Sequence, residues 1–216
     1  MLKFWIGKNG LSNGILILGE SHYNDEGDVG KEVPDCYTCG VMDRYFNQVD
    51  EYPFFDKIAA SFGYSIREEV LDFYNNLCFG NYITRFCEKR HGAAANELIA
   101  KEKVMYNNRL FEFVNTNNIK MLFCFSKRVY WNLPGANARD IDYGAERING
   151  WQGRRIRTIN KYKYSKQVLH ANCFVELEND LTVYGIAHPT GSYGYRPEEM
   201  YRFLEKEEGI RRYLTL

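Results

Sequence analysis

The feature that most constrains the fold of this chain is a set of four apolar runs, each too short for a helix of ordinary length. They cover residues 15–18, 77–83, 121–125 and 182–187, and Gly, Asn, Ser or Pro occur at their boundaries. Runs of this kind are typical of strands that are buried on both faces. The sequence therefore predicts four strands.

Helical patterns lie between and after these runs. Apolar residues recur at helical spacing over residues 66–77, where Ser65 and Glu68 predict a capping box, and again over residues 106–114. Pro197, followed by two glutamates, predicts the start of another helix. Alternating strands and helices indicate an α/β fold, a three-layer α/β/α sandwich around a four-stranded, mainly parallel sheet. No linker divides the chain, so we expect a single domain over residues 1–216.

The composition restricts the partners and the compartment. The 28 basic side chains balance the 28 acidic ones, so attraction to nucleic acid requires a local basic face. The longest apolar runs have four or five residues, far below the ~20 that span a membrane, and the N-terminus does not resemble a signal peptide. We expect a cytoplasmic, monomeric protein with no membrane partner, in which cysteines are thiols or metal ligands.

Polar side chains follow the strands at the edge where ligands bind in parallel sheets. Residues 19–23 (GESHY) follow the first run, Asn81 lies in the second, residues 126–128 follow the third, and His188 follows the fourth. A carboxylate, an amide and an imidazole are suited to chemistry there. Each also has a plain structural interpretation, as a turn, a backbone-satisfying amide or a strand-capping imidazole.

In combination, these segments resemble the uracil-DNA glycosylase superfamily. The GESHY segment is similar to the family's first motif, Asn81 to its base-reading asparagine, and His188-Pro189-Thr190 to its last motif, His-Pro-Ser. Residues 121–131 resemble the family's third strand and the helix start after it. The resemblance spans residues 14–207 and rests on about a dozen positions.

The resemblance implies a monofunctional DNA glycosylase that flips a damaged or modified base out of DNA and leaves an abasic site. His188 would donate to the departing base, and Glu20 would align water and offset charge on the sugar. Ser21, Tyr23 and Asn81 would contact the base, and Tyr37 and Phe54 are further stacking candidates. Ser21 stands where the family usually has an acid or an amide. The expected substrate is therefore not uracil alone but a uracil-like or bulky modified pyrimidine.

DNA is the expected partner. Basic and aromatic residues interleave over residues 151–157 and 161–166, a pattern that suits phosphate contact and stacking, or a solvated hairpin. The residues predicted to contact DNA are Lys127, Arg128, Arg154, Arg155, Arg157, Tyr193, Tyr195 and Arg196. One of the two tyrosines would enter the duplex where the base leaves.

Four of the cysteines are candidate ligands for a metal cofactor. Cys36 and Cys39 form a CxxC, and Cys78 and Cys87 follow it. Four cysteines can hold an iron–sulfur cluster or zinc. The family's CxxC precedes the first motif, whereas this one follows it, so we expect free thiols and no cofactor.

Two other functions compete with the glycosylase. A catalytically silent module would bind nucleic acid or a modified base without cleaving it, which the serine at position 21 favours. A nucleoside N-glycoside hydrolase would act on free nucleosides and would not need the basic aromatic stretch. A glycosylase could serve base-excision repair or anti-phage defence.

Overall fold

A computed structural model describes residues 3–24, 27–88, 92–135, 159–166, 170–190, 195–207 and 210–211, without the side chains of residues 92 and 93. Its strands are β1 (Trp5–Ile6), β2 (Ile15–Gly19), β3 (Cys78–Asn81), β4 (Met121–Cys124), β5 (Asn160–Tyr164) and β6 (Leu181–Gly185). Its helices are α1 (Gly10–Asn13), α2 (Tyr37–Phe46), α3 (Pro53–Ala60), α4 (Arg67–Asn75), α5 (Gly92–Thr116), α6 (Lys127–Asn132) and α7 (Pro197–Leu204).

The strands form one mostly parallel sheet in the order β1-β3-β2-β4-β6-β5. The four predicted strands are β3, β2, β4 and β6, which pair in parallel at its centre. The prediction of a four-stranded sheet is wrong in its count, because β1 and β5 add antiparallel edges. The first has only two residues, and the second alternates lysine with tyrosine, so neither contains an apolar run.

The central strands are almost entirely buried because helices cover both faces of the sheet. Along β2, Leu16 and Leu18 pack into the core that contains α5 and α6. Ile15 and Ile17 point the other way, into the core that contains α2, α3, α4 and α7. The α/β prediction is confirmed.

The predicted helices form, with different bounds. The helix predicted at residues 106–114 is the end of α5, which is 25 residues long. The capping box at Ser65 and Glu68 is wrong, because α4 starts later, with Ile66 as its N-cap and no side-chain cap bond. Pro197 begins α7 as predicted. Within the described segments, no helix is long and apolar enough to cross a membrane.

The strand order creates a crevice at the carboxyl edge of the sheet. From β2 the chain crosses to β3 on one side, and it then returns to β4 on the other side of β2. At such a switch of direction the loops after neighbouring strands leave in opposite directions and open a ligand-binding crevice. The carboxyl ends of β2 and β4 therefore mark where a ligand is expected.

The contact between β3 and the N-terminal segment provides a test of the packing. A Cβ atom at Gly80 would lie 2.0 Å from Cδ1 of Phe4, whose ring packs against that of Phe113 with the centroids 4.2 Å apart. We expect Gly80→Ala to lower the free energy of unfolding by about 1–3 kcal/mol, the usual cost of overpacking, as measured by urea denaturation.

The matched control for this prediction is Gly40→Ala. Gly40 lies within α2, and an added Cβ there would meet no atom within 4 Å. This change should leave stability unchanged or raise it by about 0.5–1 kcal/mol through helix propensity. Wild-type stability in Gly80→Ala would show that Phe4 moves aside without cost.

Candidate active site

A cavity of about 380 Å³ opens at the carboxyl edge of the sheet, beside the predicted crevice. It brings together the sequence-predicted residues of β2, β3 and β6, because the carboxyl ends of parallel strands meet at one edge. Its lining comprises Glu20, Ser21, His22, Tyr23, Tyr37, Val41, Tyr52, Phe54, Phe55, Phe79, Asn81, His188 and Thr190.

The segment after β2 is held almost as a strand. The carbonyl groups of Gly19, Glu20 and His22 accept hydrogen bonds from the amides of Tyr82, Ile83 and Cys87 at 2.9–3.1 Å. These bonds continue the pairing of β2 and β3 beyond the sheet. The polar side chains of this segment are consequently fixed in direction, as a preorganised site requires.

Glu20 lies at the floor of the crevice and is only 7% exposed. The hydroxyl of Ser126 donates to its Oε2 at 2.6 Å, and Arg128 donates to its Oε1 at 2.5 Å. Ser126 also caps α6 by accepting from the amide of Val129 at 3.2 Å. The segment after β4 therefore holds the carboxylate that follows the neighbouring strand β2.

The half-buried imidazole of His188 is held in one tautomer by a hydrogen bond from the backbone. Its Nδ1 accepts from the backbone amide of Thr190 at 3.3 Å, so the proton of the neutral ring lies on Nε2. Burial lowers the pKa of His188, the nearby charge of Glu20 opposes this, and that of Arg128 adds to it. The ring lies 5.1 Å from that of Phe54. His188 is a neutral hydrogen-bond donor at physiological pH.

Asn81 ends β3 with a buried side chain. A Cβ atom on Gly19, its partner in β2, would lie 2.3 Å from the Oδ1 of Asn81, so only glycine permits this approach. The backbone carbonyls of Asn81 and Tyr82 accept from the guanidinium of Arg109. Among the described residues, the Asn81 side-chain amide forms no hydrogen bond, which leaves it for a ligand.

Two hydroxyl groups adjoin the carboxylate. The Oγ of Ser21 is buried and has no hydrogen bond of good geometry within the described part of the chain, although it lies near the Tyr23 hydroxyl and the Cys87 thiol. The Tyr23 hydroxyl is 3.5 Å from Oε1 of Glu20, and burial together with that carboxylate raises the pKa of Tyr23 to about 12. Both are protonated at neutral pH.

Three residues that support the site were not among the site residues predicted from the sequence. His22 is buried, and its Nε2 lies 2.9 Å from Oγ1 of Thr38. Arg109 is buried in α5 beneath β3. The sequence feature that could have identified Arg109 is a cation on the apolar face of a helix, one turn from Tyr106. Ser126 could have been identified from its position shortly after β4, at the edge where ligands are expected.

The two predicted DNA contacts after β4 face inward. Arg128 binds Glu20, and its side chain is 30% exposed. The amine of Lys127 binds the side chain of Asn160 on β5, and burial lowers the pKa of this lysine to about 7. These contacts give both residues a structural role within the domain.

The remaining predicted DNA contacts divide into two groups. Tyr195 packs against the core beneath α3, and its hydroxyl shares a hydrogen bond with Ser61 at 2.6 Å, whereas Arg196 is exposed and lies 3.8 Å from Glu199. The others lie outside the described residues: Arg154, Arg155, Arg157 and Tyr193.

The lysines of the second basic stretch lie in and after the edge strand β5. Lys161 binds Glu207 at 2.5 Å, and Lys163 binds Asp180 at 3.0 Å. Side chains paired in this way have part of their charge neutralised inside the protein. The edge strand β5 pairs antiparallel with β6, which follows it in the chain after a connection of 16 residues.

The four cysteines considered as metal ligands separate into pairs. Cys36 and Cys39 lie at the start of α2, whereas Cys78 and Cys87 are buried in the core that contains α5. In the segments that the structure describes, no three His, Cys, Asp or Glu side chains gather in a metal-binding group.

The burial of His22 generates a pH prediction. Desolvation, followed by the charge of Arg109, lowers its pKa from 6.5 to about 4. Between these values the unfolded chain binds the proton and the folded chain does not, so stability is fully present above pH 6.5 and is lost as the pH falls towards 4. We expect the loss from pH 7 to 4.5 to be on the order of 2–3 kcal/mol larger in the wild type than in His22→Gln.

Urea denaturation of both proteins at the two pH values measures this difference. His188, whose pKa is also lowered, is present in both proteins and cancels in the comparison. Identical pH dependence in the two proteins would mean that His22 is protonated or solvated in the folded state.

No protein-family model matches this sequence, and no curated protein matches it either. The site is therefore interpreted from its own residues. They are a clamped carboxylate, a neutral imidazole and an amide with no partner among the described residues, all around one cavity with aromatic walls.

Proposed function

We propose that this chain is a monofunctional DNA glycosylase, which hydrolyses the N-glycosidic bond of a flipped-out damaged or modified base and leaves an abasic site. The observation that carries the proposal is the meeting of Glu20, Asn81 and His188 in one cavity with aromatic walls. The parallel strands at the centre of the sheet, with helices on both faces, are compatible with the layout of the uracil-DNA glycosylase superfamily.

His188 stabilises the leaving base. Negative charge develops on the base as the glycosidic bond breaks, and a donor aimed at that charge lowers the barrier. The Thr190 amide fixes the imidazole tautomer so that Nε2 carries the proton. The amine of Lys57 donates to the carbonyl of Pro189 at 3.4 Å and anchors the same loop. The donor is therefore in place before the base arrives.

Asn81 reads the edge of the base. Its amide supplies both a donor and an acceptor, and the buried Ser21 hydroxyl adds a second polar contact. The rings of Tyr37 and Phe54 lie in the cavity wall, where they can stack on an unpaired base. A cavity of about 380 Å³ falls within the size range of small-molecule sites and has room for a pyrimidine, uracil-like or bulky.

Glu20 serves the sugar side of the reaction. Both of its oxygens accept hydrogen bonds from the protein, yet a carboxylate has further lone pairs with which to orient a water molecule. The positive charge of Arg128 partly offsets the field of the carboxylate at the sugar. Stabilisation of the leaving base by His188 thus supplies the larger share of the rate.

The chemistry ends at hydrolysis. A lyase needs an amine that attacks the sugar, and none of the described residues that line the cavity is a lysine. DNA is the partner, and the biological role is base-excision repair or anti-phage defence in the cytoplasm by a monomeric enzyme.

A silent reader of nucleic acid or of a modified base is the second candidate. The pairing of Glu20 with Arg128 and Ser126 favours it, because protein donors already occupy both oxygens of the carboxylate. Such a module would use Asn81 and the aromatic walls for binding alone.

The deciding experiment uses duplex and single-stranded oligonucleotides that contain one uracil or one bulky 5-substituted pyrimidine. Alkali treatment reveals abasic sites, and mass spectrometry detects the released base. Strand cleavage only after alkali supports the glycosylase. Binding without base release would select the silent reader, and release from free nucleosides alone would select a nucleoside hydrolase.

The first prediction from this mechanism concerns His188. We expect His188→Ala to lose about 10²–10³ of the single-turnover rate while it still binds substrate DNA and keeps its melting temperature. His170→Ala is the matched control, because this imidazole contacts Tyr164 and does not line the cavity. Full activity in His188→Ala would remove the proposed donor, and loss of folding would make the residue part of the core.

The second prediction concerns base recognition. We expect Asn81→Asp to lower the rate by about 10² or more, because it removes a donor and adds a charge at the base edge. Gly19→Ala should reduce activity in the same direction, since its Cβ would displace the Asn81 amide. Kinetics on the best substrate measure both. An unchanged rate and base preference in Asn81→Ala would make this residue structural.

A further inference from the structure

Cys36 and Cys39 occupy the first turn of α2. Cys36 is the N-cap residue and makes no side-chain cap bond, and its carbonyl accepts from the amide of Gly40 at 2.9 Å, which closes the turn. Burial raises the pKa of Cys39, and the neighbouring Cys36 and Asp43 add to the effect. Residues three apart on a helix are neighbours on its surface.

The pair differs from the other thiols in its accessibility. Cys36 is exposed and Cys39 half-buried, whereas Cys78, Cys87, Cys124 and Cys173 are buried. Burial raises the pKa of Cys78 to about 12 and keeps this thiol from solvent, whereas Cys39, whose pKa burial also raises, is only half-buried and lies beside exposed Cys36. Oxidation by a small molecule from solution will therefore select the pair at the start of α2.

We propose that Cys36 and Cys39 form a redox-active dithiol that exchanges with a small disulfide such as oxidised glutathione. The thiolate of exposed Cys36 attacks one glutathione sulfur and expels the first glutathione thiolate. The thiolate of Cys39 then attacks the Cys36 sulfur and expels the second. Two electrons pass to oxidised glutathione, and the two protein protons leave with two reduced glutathione molecules.

The two residues between the cysteines connect this exchange to the cavity. The Tyr37 ring lines it and lies edge-on to His22, with the ring centroids 4.8 Å apart. Thr38 is fully buried, with its Oγ1 at 2.9 Å from Nε2 of His22. Any change in the first turn of α2 therefore reaches the wall of the cavity.

Closing the disulfide requires such a change. Cβ atoms three residues apart on a helix are about 5–6 Å apart, whereas a disulfide holds them at about 3.5–4.5 Å. The first turn must tighten by roughly 1–2 Å, and this moves Tyr37 and Thr38 relative to His22. This redox function is separate from the proposed glycosylase and does not depend on it.

The first test is chemical. The full chain is equilibrated with mixtures of reduced and oxidised glutathione at millimolar total concentration, and intact mass and peptide mapping follow. We expect loss of two hydrogen atoms, located at Cys36 and Cys39, and full reversal by dithiothreitol. Cys36→Ser and Cys39→Ser should not form this bond, and Cys173→Ser should form it as the wild type does. A stable mixed disulfide on Cys36 without ring closure, or oxidation elsewhere first, would overturn the proposal.

The second test reports on the cavity without any assay of activity. Nitrogen NMR of the imidazole rings follows the chain through oxidation and reduction. We expect the His22 signals to shift on oxidation in the wild type and to stay in place in Cys39→Ser. His170, whose ring contacts Tyr164, provides an internal reference that should not move. Ring closure with unchanged His22 signals would refute the coupling to the cavity.

Discussion

Strand β2 is buried on both faces and paired on both edges, and the positions of the other elements follow from this. Its amides and carbonyls pair with β3 on one side and with β4 on the other. The pairing continues past the strand ends, since the carbonyl of Leu18 accepts from the amide of Phe125, after β4, and the carbonyl of Glu20, after β2, accepts from the amide of Ile83. A strand fixed in this way presents the side chains after it in only one arrangement, with Asn81 on one flank and Ser126 on the other.

The site depends on how buried charge is compensated. A carboxylate removed from water is costly unless it is paired and hydrogen-bonded, and Glu20 has both Arg128 and Ser126. Burial lowers the pKa values of His22 and His188 instead, so neither adds a charge at neutral pH. In the proposed glycosylase, a hydrogen bond from a neutral buried donor to a base that gains negative charge would be stronger than the same bond in water.

The wall of the cavity comes from the long connection between β2 and β3. This segment carries α2, α3 and α4, and it supplies Tyr37 from the first of them and Phe54 from the second. Their rings contact His22 and His188, so each imidazole has an aromatic neighbour. Cys36 and Cys39 lie in the same connection and flank Tyr37 and Thr38, which contact His22.

The sequence by itself determined the four central strands, the helices between them and the edge of the sheet where the polar residues of the candidate site gather. Those features are local, because apolar runs and helical periodicity are decided by residues that are near each other in the chain. Glu20, Asn81 and His188 could be selected in this way, since each ends a strand or follows one within three residues. The edge strands β1 and β5 escaped notice because a neighbouring strand, rather than an apolar run, holds them in the sheet.

Only the tertiary structure decided which charged groups meet. Arg128 and Glu20 are 108 residues apart, and they form an ion pair because β4 lies beside β2 in the sheet, which nothing in either segment specifies. In the same way, Tyr195 reads as an exposed residue of a glycine-rich loop, yet it bonds to Ser61 in the segment after α3. The local sequence pattern determines whether a segment forms a helix or a strand. The partner of a buried polar group depends on strand order instead, because a desolvated polar group pairs with the complementary group that the fold brings within reach.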